Sequence, residues 1–316
     1  TPTTSSAASD VYKRQFIGAI IAGNGDNGAG RVGIVPAGRL NLLKIADDSG
    51  AFYFSYAASA LADIAEGDLG IRVVNYSIAS SSSSSAFQDA VASLADADIL
   101  MVAAAGNCGS ASCSDADNDS NPLYPASYTY EHVVSVAGST EGGGFNTYSH
   151  YGASSVDLAA PGVNICSAGV TDDSSYYSAG GTSYAAPIVA GVAALLLEAH
   201  PDLTTTDLAR VLRASAVEEE EWQDRVRADG VVSAANALAT AVPRLEVPGT
   251  DTIDGTDTFD LILTNLAAEG TGHLLLTHGE GFSVTDADGW NITAFSTGDT
   301  LSLPDAGEVT MEGSGT

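Results

Sequence analysis

Basic residues are scarce in this chain. Eleven Lys and Arg stand against 40 Asp and Glu, a formal charge of −29 over 316 residues. Lysine occurs only at Lys13 and Lys44. Such a surface cannot grip the phosphates of nucleic acid, which takes clustered Lys and Arg, and an anionic membrane surface would repel it. Long apolar runs are lacking too. The longest, Ile188 to Leu197, is shorter than the roughly 20 residues a bilayer span needs and is interrupted by Gly191. Charged residues of both signs make up only 16% of the chain, which excludes a disordered acidic tail. At 45% hydrophobic residues the chain can bury a full core, and its length suits one large domain or one domain with a smaller module. A carboxylate-rich surface stays hydrated in high salt, where screening weakens self-repulsion. An acidic secreted protein of ordinary sea water, or of a high-GC genome, is the plainer account of the same bias.

Residues 1–15 are polar and show no helical or strand period, and no apolar segment follows a basic start as in a signal peptide. The hexapeptide Asp10-Val-Tyr-Lys-Arg-Gln15 is what GAT GTG TAT AAG AGA CAG encodes, a string that resembles a sequencing-library transposase adapter read in frame. Residues 1–15 are therefore expected to be foreign to the protein, with the authentic chain starting near Phe16; a native linker is the alternative.

From Phe16 onward, short β-rich runs alternate with longer amphipathic ones. Arg39 to Ile45, Ile71 to Asn75, Ile99 to Ala105, His132 to Ala137 and Val156 to Ala159 read as strands. Tyr56 to Glu66, Ala86 to Ala95, Tyr184 to His200 and Asp207 to Ala216 read as helices, the last with Thr206 as N-cap. This alternation predicts an α/β fold on a parallel sheet. Ser80–Ser85 reads as a flexible loop. Pro243 and Pro248-Gly249 mark a linker over 242–250, and residues 251–316 alternate as a short antiparallel β module does, of the kind a partial β-sandwich presents. That module is expected to be incomplete.

Two segments carry chemistry. In Gly180-Gly-Thr-Ser-Tyr-Ala-Ala-Pro187 a small-residue turn delivers Ser183 to the start of a helix, with Pro187 expected in its first turn. A helix N-terminus offers free N–H groups and partial positive charge. A serine there can attack a carbonyl while its own N–H holds the oxyanion; a simple N-cap serine is the plainer reading. In Leu100-Met-Val-Ala-Ala-Ala-Gly-Asn107 an amide side chain follows a buried strand, where open α/β sheets place their sites. Asn107 can donate to an oxyanion, although a turn asparagine after glycine is common.

Together these segments resemble the subtilisin-like serine proteases, from about Phe16 to Leu238. Gly181-Thr-Ser-Tyr-Ala-Ala-Pro187 resembles the nucleophile signature, with Tyr184 where Met is usual. Ala103-Ala-Ala-Gly-Asn107 resembles the oxyanion segment, and Val73-Val-Asn-Tyr-Ser-Ile78 the strand that pairs with substrate. Tyr124-Pro-Ala126, Val156-Asp-Leu-Ala-Ala-Pro-Gly162 and Gly230 to Leu238 resemble further landmarks. The resemblance implies a three-layer, parallel-sheet peptidase domain over 16–241. Ser183 is implied as nucleophile and Asn107 as oxyanion donor, with Ser77, Ile78, Ala79 and Gly106 lining a cleft for an extended polypeptide. Ala79 and Ser80 replace glycines usual in the family.

The base is the gap. A serine hydroxyl needs a base, and the base needs an orienting carboxylate. The family's His-Gly-Thr-His-Val-Ala-Gly stretch precedes the helix that here reads Phe16 to Ala22, which puts Tyr12 at the histidine's place and the aspartate motif upstream of residue 1. His132, His150, His200, His273 and His278 lack the matching context, and Asp10 is not the catalytic aspartate. The expectation is an endopeptidase parent and an almost inactive chain as written. The rival is a pseudoprotease, or a surface protein that binds through its β module.

Weaker signals remain. Gly23-Asn-Gly-Asp-Asn-Gly28 matches G-x-G-x-x-G but lacks the preceding strand and following helix of a dinucleotide site. Asp115, Asp117 and Asp119 space oxygen ligands as a calcium loop does, without the EF-hand glycine and glutamate. Family resemblance makes calcium a candidate structural ion there, against a solvated acidic loop. No cofactor is required for the chemistry. Glu218–Glu221 reads as a solvated run. The secreted character of the family implies a Cys108–Cys113 disulfide, with Cys166 left over, and an extracellular monomer acting on polypeptides.

Overall fold

The structure, a computed structural model, describes residues 6–25, 30–47, 52–67, 69–108, 115–169 and 175–239, with side chains from residue 13 onward, and the backbone of five strands beyond residue 243. The chain falls into two compact units, Thr1–Leu238 and Ala239–Thr316.

The first unit is built on strands β1 (Val73–Tyr76), β2 (Leu100–Ala104), β3 (Val133–Ser139), β4 (Leu158–Pro161), β7 (Val217–Glu218) and β8 (Gly230–Val231), in the order β1-β2-β3-β4-β8-β7. All pairs are parallel except β7–β8. β2 is buried at every residue, as its unbroken apolar run requires of a strand covered on both faces. A hairpin, β5 (Ile165–Ala168) with β6 (Tyr176–Ala179), stands apart from the sheet.

Helices cover both faces. α1 (Ser6–Ala22) and α4 (Thr182–Ala199) pack together, with α4 lying across β1 to β4. On the other face α2 (Phe54–Glu66) and α3 (Ser85–Ala92) bring Leu61, Ile64, Phe87 and Val91 against Met101 and Ala103 of β2. The result is the expected three-layer α/β arrangement. α4 is apolar and long enough to cross a membrane by length and composition alone, but ten of its residues are buried in this core. α5 (Thr205–Ala214) and α6 (Ala234–Ala239) complete the unit.

Four local expectations need correction. Residues 6–15 are helical: they extend α1 backward from Phe16, which is fully buried and anchors the helix. Gln15 there donates to Gly169 O at 3.0 Å. The N-cap of α5 is Thr204 rather than Thr206, because Asp207 sits three residues on and closes a reciprocal capping box with it. Pro187 is the sixth residue of α4, in the second turn rather than the first. Arg39 to Ile45 joins no ladder; an apolar cavity separates it from β1, leaving its backbone no strand to pair with.

In the second unit β9 (Arg244–Glu246), β10 (Thr258–Thr264) and β13 (Thr310–Ser314) form an antiparallel sheet in the order β13-β10-β9. β11 (His273–Leu275) pairs with β12 (Thr300–Ser302), also antiparallel. The stretch expected as linker thus contributes β9. The His278 side chain, Cys113 and much of the Gly23–Gly28 loop lie outside the described residues.

Candidate active site

Ser183 is the second residue of α4, half-buried at the helix N-terminus. The turn before it depends on Gly181, whose φ of 136° disfavours any side chain, and an added Cβ would sit 3.1 Å from Asn107 Oδ1. Parallel strands β1 and β2 end at the same place, as open α/β sheets arrange their sites. β1 delivers Ser77, and β2 runs through Ala105 and Gly106 to Asn107.

Pro187 organises the contact between helix and strand. Lacking an N–H, it cannot bond the carbonyl four residues back, which is that of Ser183. The Ser77 hydroxyl donates to that carbonyl instead, at 2.9 Å. Ser183 returns the contact, its Oγ donating to Ser77 O at 3.1 Å. Asn75 Nδ2 donates to Ser77 Oγ at 3.0 Å, so the Ser77 hydroxyl both gives and accepts.

Thr182 fixes Asn107. Its N–H and hydroxyl donate to Asn107 Oδ1 at 2.8 and 3.2 Å, and the hydroxyl accepts from Gly106 N at 3.2 Å. With Oδ1 engaged, the Asn107 carboxamide N–H groups are its remaining donors, on an exposed residue beside Ser183. Beneath this loop, Asn118 Nδ2 donates to Ala105 O at 2.9 Å, and its Oδ1 lies 2.9 Å from His150 Nδ1. The structure therefore brings together Ser183, Asn107, Gly106 and Ser77, with Ile78 and Ala79 continuing from Ser77. The edge beyond them is held by Ser80 and Tyr124, which exchange backbone hydrogen bonds of 3.1 and 2.8 Å.

The histidines are placed differently. His132 bonds Val91 O at 2.8 Å, and burial holds its pKa below the ordinary value. Burial lowers His150 likewise. Tyr12 lies within α1, its side chain outside the described residues. Its neighbour Lys13 reaches the site: Nζ donates to Ser77 O at 2.8 Å, the carbonyl that Ser183 Oγ also uses. Sequence reasoning missed Thr182, the role of the Ser77 hydroxyl, and Lys13. The role of the Ser77 hydroxyl was legible in part, since a proline beyond the first turn of a helix orphans the carbonyl four residues back.

In the Asp115–Asp119 loop, carboxylates hold local hydrogen bonds. Asp117 spends Oδ1 on Asp119 N and Oδ2 on the Ser120 hydroxyl, and Asp119 Oδ2 accepts from Ser154 N at 3.0 Å. Among the described residues no three His, Cys, Asp or Glu side chains gather to hold a metal. Cys108 is disulfide-bonded and Cys166 is a free thiol. Glu221, expected in a solvated run, accepts from Phe145 N at 2.9 Å.

Residues 16–256 match the model of the subtilase family, Peptidase S8. The chain belongs to the subtilase family. This subtilase is 34% identical over 191 residues to Subtilisin Savinase of Lederbergia lenta, covering 60% of this chain and 65% of that protein. It is 34% identical over 227 residues to the halolysin-like extracellular serine protease Nep of Natrialba magadii, covering 69% of this chain and 38% of the other. Among solved structures it resembles a protease from Pseudoalteromonas arctica PAMC 21717, with a TM-score of 0.60 and 28% identity over 71% of this chain and 69% of that one. Matches to the curated relatives span 31% to 65% of their length.

Proposed function

We propose that this subtilase is the Ser183-bearing part of a secreted serine endopeptidase. Ser183 attacks a peptide carbonyl to form an acyl-enzyme, the Asn107 carboxamide and the Ser183 N–H hold the oxyanion, and water releases the acid. An extended polypeptide lies along Ser77, Ile78 and Ala79. The reading is carried by one observation: Thr182 pins Asn107 by its oxygen, which turns its donors free beside a serine at a helix N-terminus. An extracellular location agrees with the Natrialba relative, a halolysin-like extracellular serine protease.

The chain alone is proposed to be nearly inactive. Ser183 Oγ donates its proton to a backbone carbonyl, which cannot take it up as a base. Binding and an oxyanion hole alone leave only a small residual rate. The test is hydrolysis of a fluorogenic peptide by this chain and by Ser183→Ala, with serine-directed fluorophosphonate labelling in parallel. Equal, background-level rates are expected. Robust Ser183-dependent turnover would overturn the inactivity. A gene in which no aspartate and His-Gly-Thr-His motifs precede this region would overturn the endopeptidase reading.

A further inference from the structure

All four backbone polar groups of Ala105 and Gly106, the two residues that lead into Asn107, have partners. Ala105 N donates to Val136 O at 2.9 Å, and Ala105 O accepts from Asn118 Nδ2 at 2.9 Å. Gly106 N donates to the Thr182 hydroxyl at 3.2 Å, and Gly106 O accepts from His150 N at 3.0 Å. Gly106 needs this support, because its φ of 120° lies in a region that persists only where the surroundings hold it. Three of these partners are fixed by the sheet, by α4 or by a backbone bridge. The fourth, Asn118, is a side-chain amide, and an amide can turn over.

Asn118 is 1% exposed, so both ends of its amide must be satisfied. Turned over, it would set its oxygen against Ala105 O and leave two buried acceptors facing each other. His150 prevents this. Its Nδ1 lies 2.9 Å from Asn118 Oδ1. With Asn118 Nδ2 committed to Ala105 O, only Oδ1 is offered to the ring, so Nδ1 carries the proton and donates. Burial holds the ring below the ordinary histidine pKa, which favours its neutral form. The ring also lies against Gly106: a Cβ on that residue would stand 3.2 Å from His150 Cγ and would strike Leu123 Cδ1. His150 thus grips the turn before Asn107 three times, through its main-chain N–H, through its ring and through Asn118.

We propose that His150 is a positioning residue for the Asn107 carboxamide, acting through Asn118 and the Ala105–Gly106 backbone and taking no proton from Ser183. Its proton-bearing nitrogen is turned to Asn118. Thr182 fixes the oxygen end of the Asn107 carboxamide, and His150 fixes where the backbone that carries it stands. The inference rests on the reading of Asn107 as the oxyanion donor.

The test uses the isotope-labelled full chain and two NMR readouts. The first needs no ligand: amide exchange at residues 106 and 150. His150→Leu removes the ring donor and should speed exchange there at least about tenfold, with Met101 in β2 unchanged. His150→Asn, whose Nδ2 can take the place of Nδ1, should restore the wild-type rates. The second readout is the Asn107 carboxamide signal on titration with acetyl-Ala-Ala-Ala, whose free carboxylate stands in for the oxyanion, compared with the same peptide as its C-terminal amide. The carboxylate peptide should shift that signal in wild type and in His150→Asn, and not in His150→Leu. Should His150→Leu fail to fold, Asn118→Leu breaks the same link and takes its place. Wild-type exchange at residue 106 in the leucine variant, failure of His150→Asn to rescue, or an equal rise at Met101 overturns the positioning role. A wild-type Asn107 signal that ignores the carboxylate, with the exchange pattern as expected, overturns the oxyanion reading instead.

Discussion

Ser77 and Ser183 hold each other by two reciprocal hydrogen bonds: hydroxyl to carbonyl at 2.9 Å in one direction and at 3.1 Å in the other. The first exists because Pro187 withdraws the N–H that an ordinary helix would offer Ser183 O. Ser183 is thereby tied to the chain just past β1, and its placement depends on Ser77, a residue outside the Gly181–Pro187 segment.

Ser77→Ala should therefore leave a carbonyl unbonded at the N-terminus of α4 and lower stability by about 1–2 kcal/mol. Urea unfolding checks this. Adding Pro187→Ala should recover part of the loss, since the restored N–H can bond Ser183 O. Equal losses in the single and double variants would sink the coupling.

Gly181→Ala should destabilise by at least about 1 kcal/mol, because φ is 136° and the new Cβ meets Asn107 Oδ1 at 3.1 Å. The loss should be partly non-additive with Asn107→Gly, which removes the group that is struck. Thermal melts of the two single variants and the double variant give the comparison.

Thr204→Ala should cost about 1 kcal/mol by opening the capping box of α5. Burial alone would raise the Asp207 carboxyl, but hydrogen bonds from Thr204 and the Arg210 guanidinium hold it below the ordinary value. The contribution is then fully present above the ordinary carboxylate pKa of about 4 and is lost as pH falls through the lower, folded value. The difference between wild type and Thr204→Ala in urea midpoint should shrink on acidification below pH of about 4.

Burial keeps His132 and His150 below the ordinary histidine pKa. The unfolded chain then binds more protons in the interval below about 6.5, so stability falls as pH drops from about 6.5 towards the folded values. His132→Gln should flatten this part of a urea-midpoint profile. An unchanged slope would show that His132 is not responsible.

The parallel sheet was legible because β2 and β3 are short, apolar and bounded by turns, and because α2 and α4 repeat apolar residues at helical spacing. Ser183 and Asn107 were legible as small motifs at the ends of such elements. Other features were not, each for a physical reason. Residues 6–15 lack an apolar period, and their helix is imposed by the anchoring of Phe16 rather than by local preference. Arg39 to Ile45 has the composition of a strand, but a strand exists only where a neighbour offers its backbone. The hydrogen bonds of Asp117 with Ser120 and of Asp119 with Ser154 are contacts that spacing alone does not reveal. Lys13 reached Ser77 O through tertiary placement alone.

The two edges of the sheet differ in a way that bears on handling. At one end, β7 caps β8 with a two-residue antiparallel strand in a stretch of four glutamates, a poor template for further growth. At the other, β1 offers an open ladder beside exposed leucines. Colloidal behaviour should accordingly be one-sided. The charge of −29 keeps copies apart in dilute buffer, and salt, by screening it, should favour contact at the β1 edge over contact at the β7 edge.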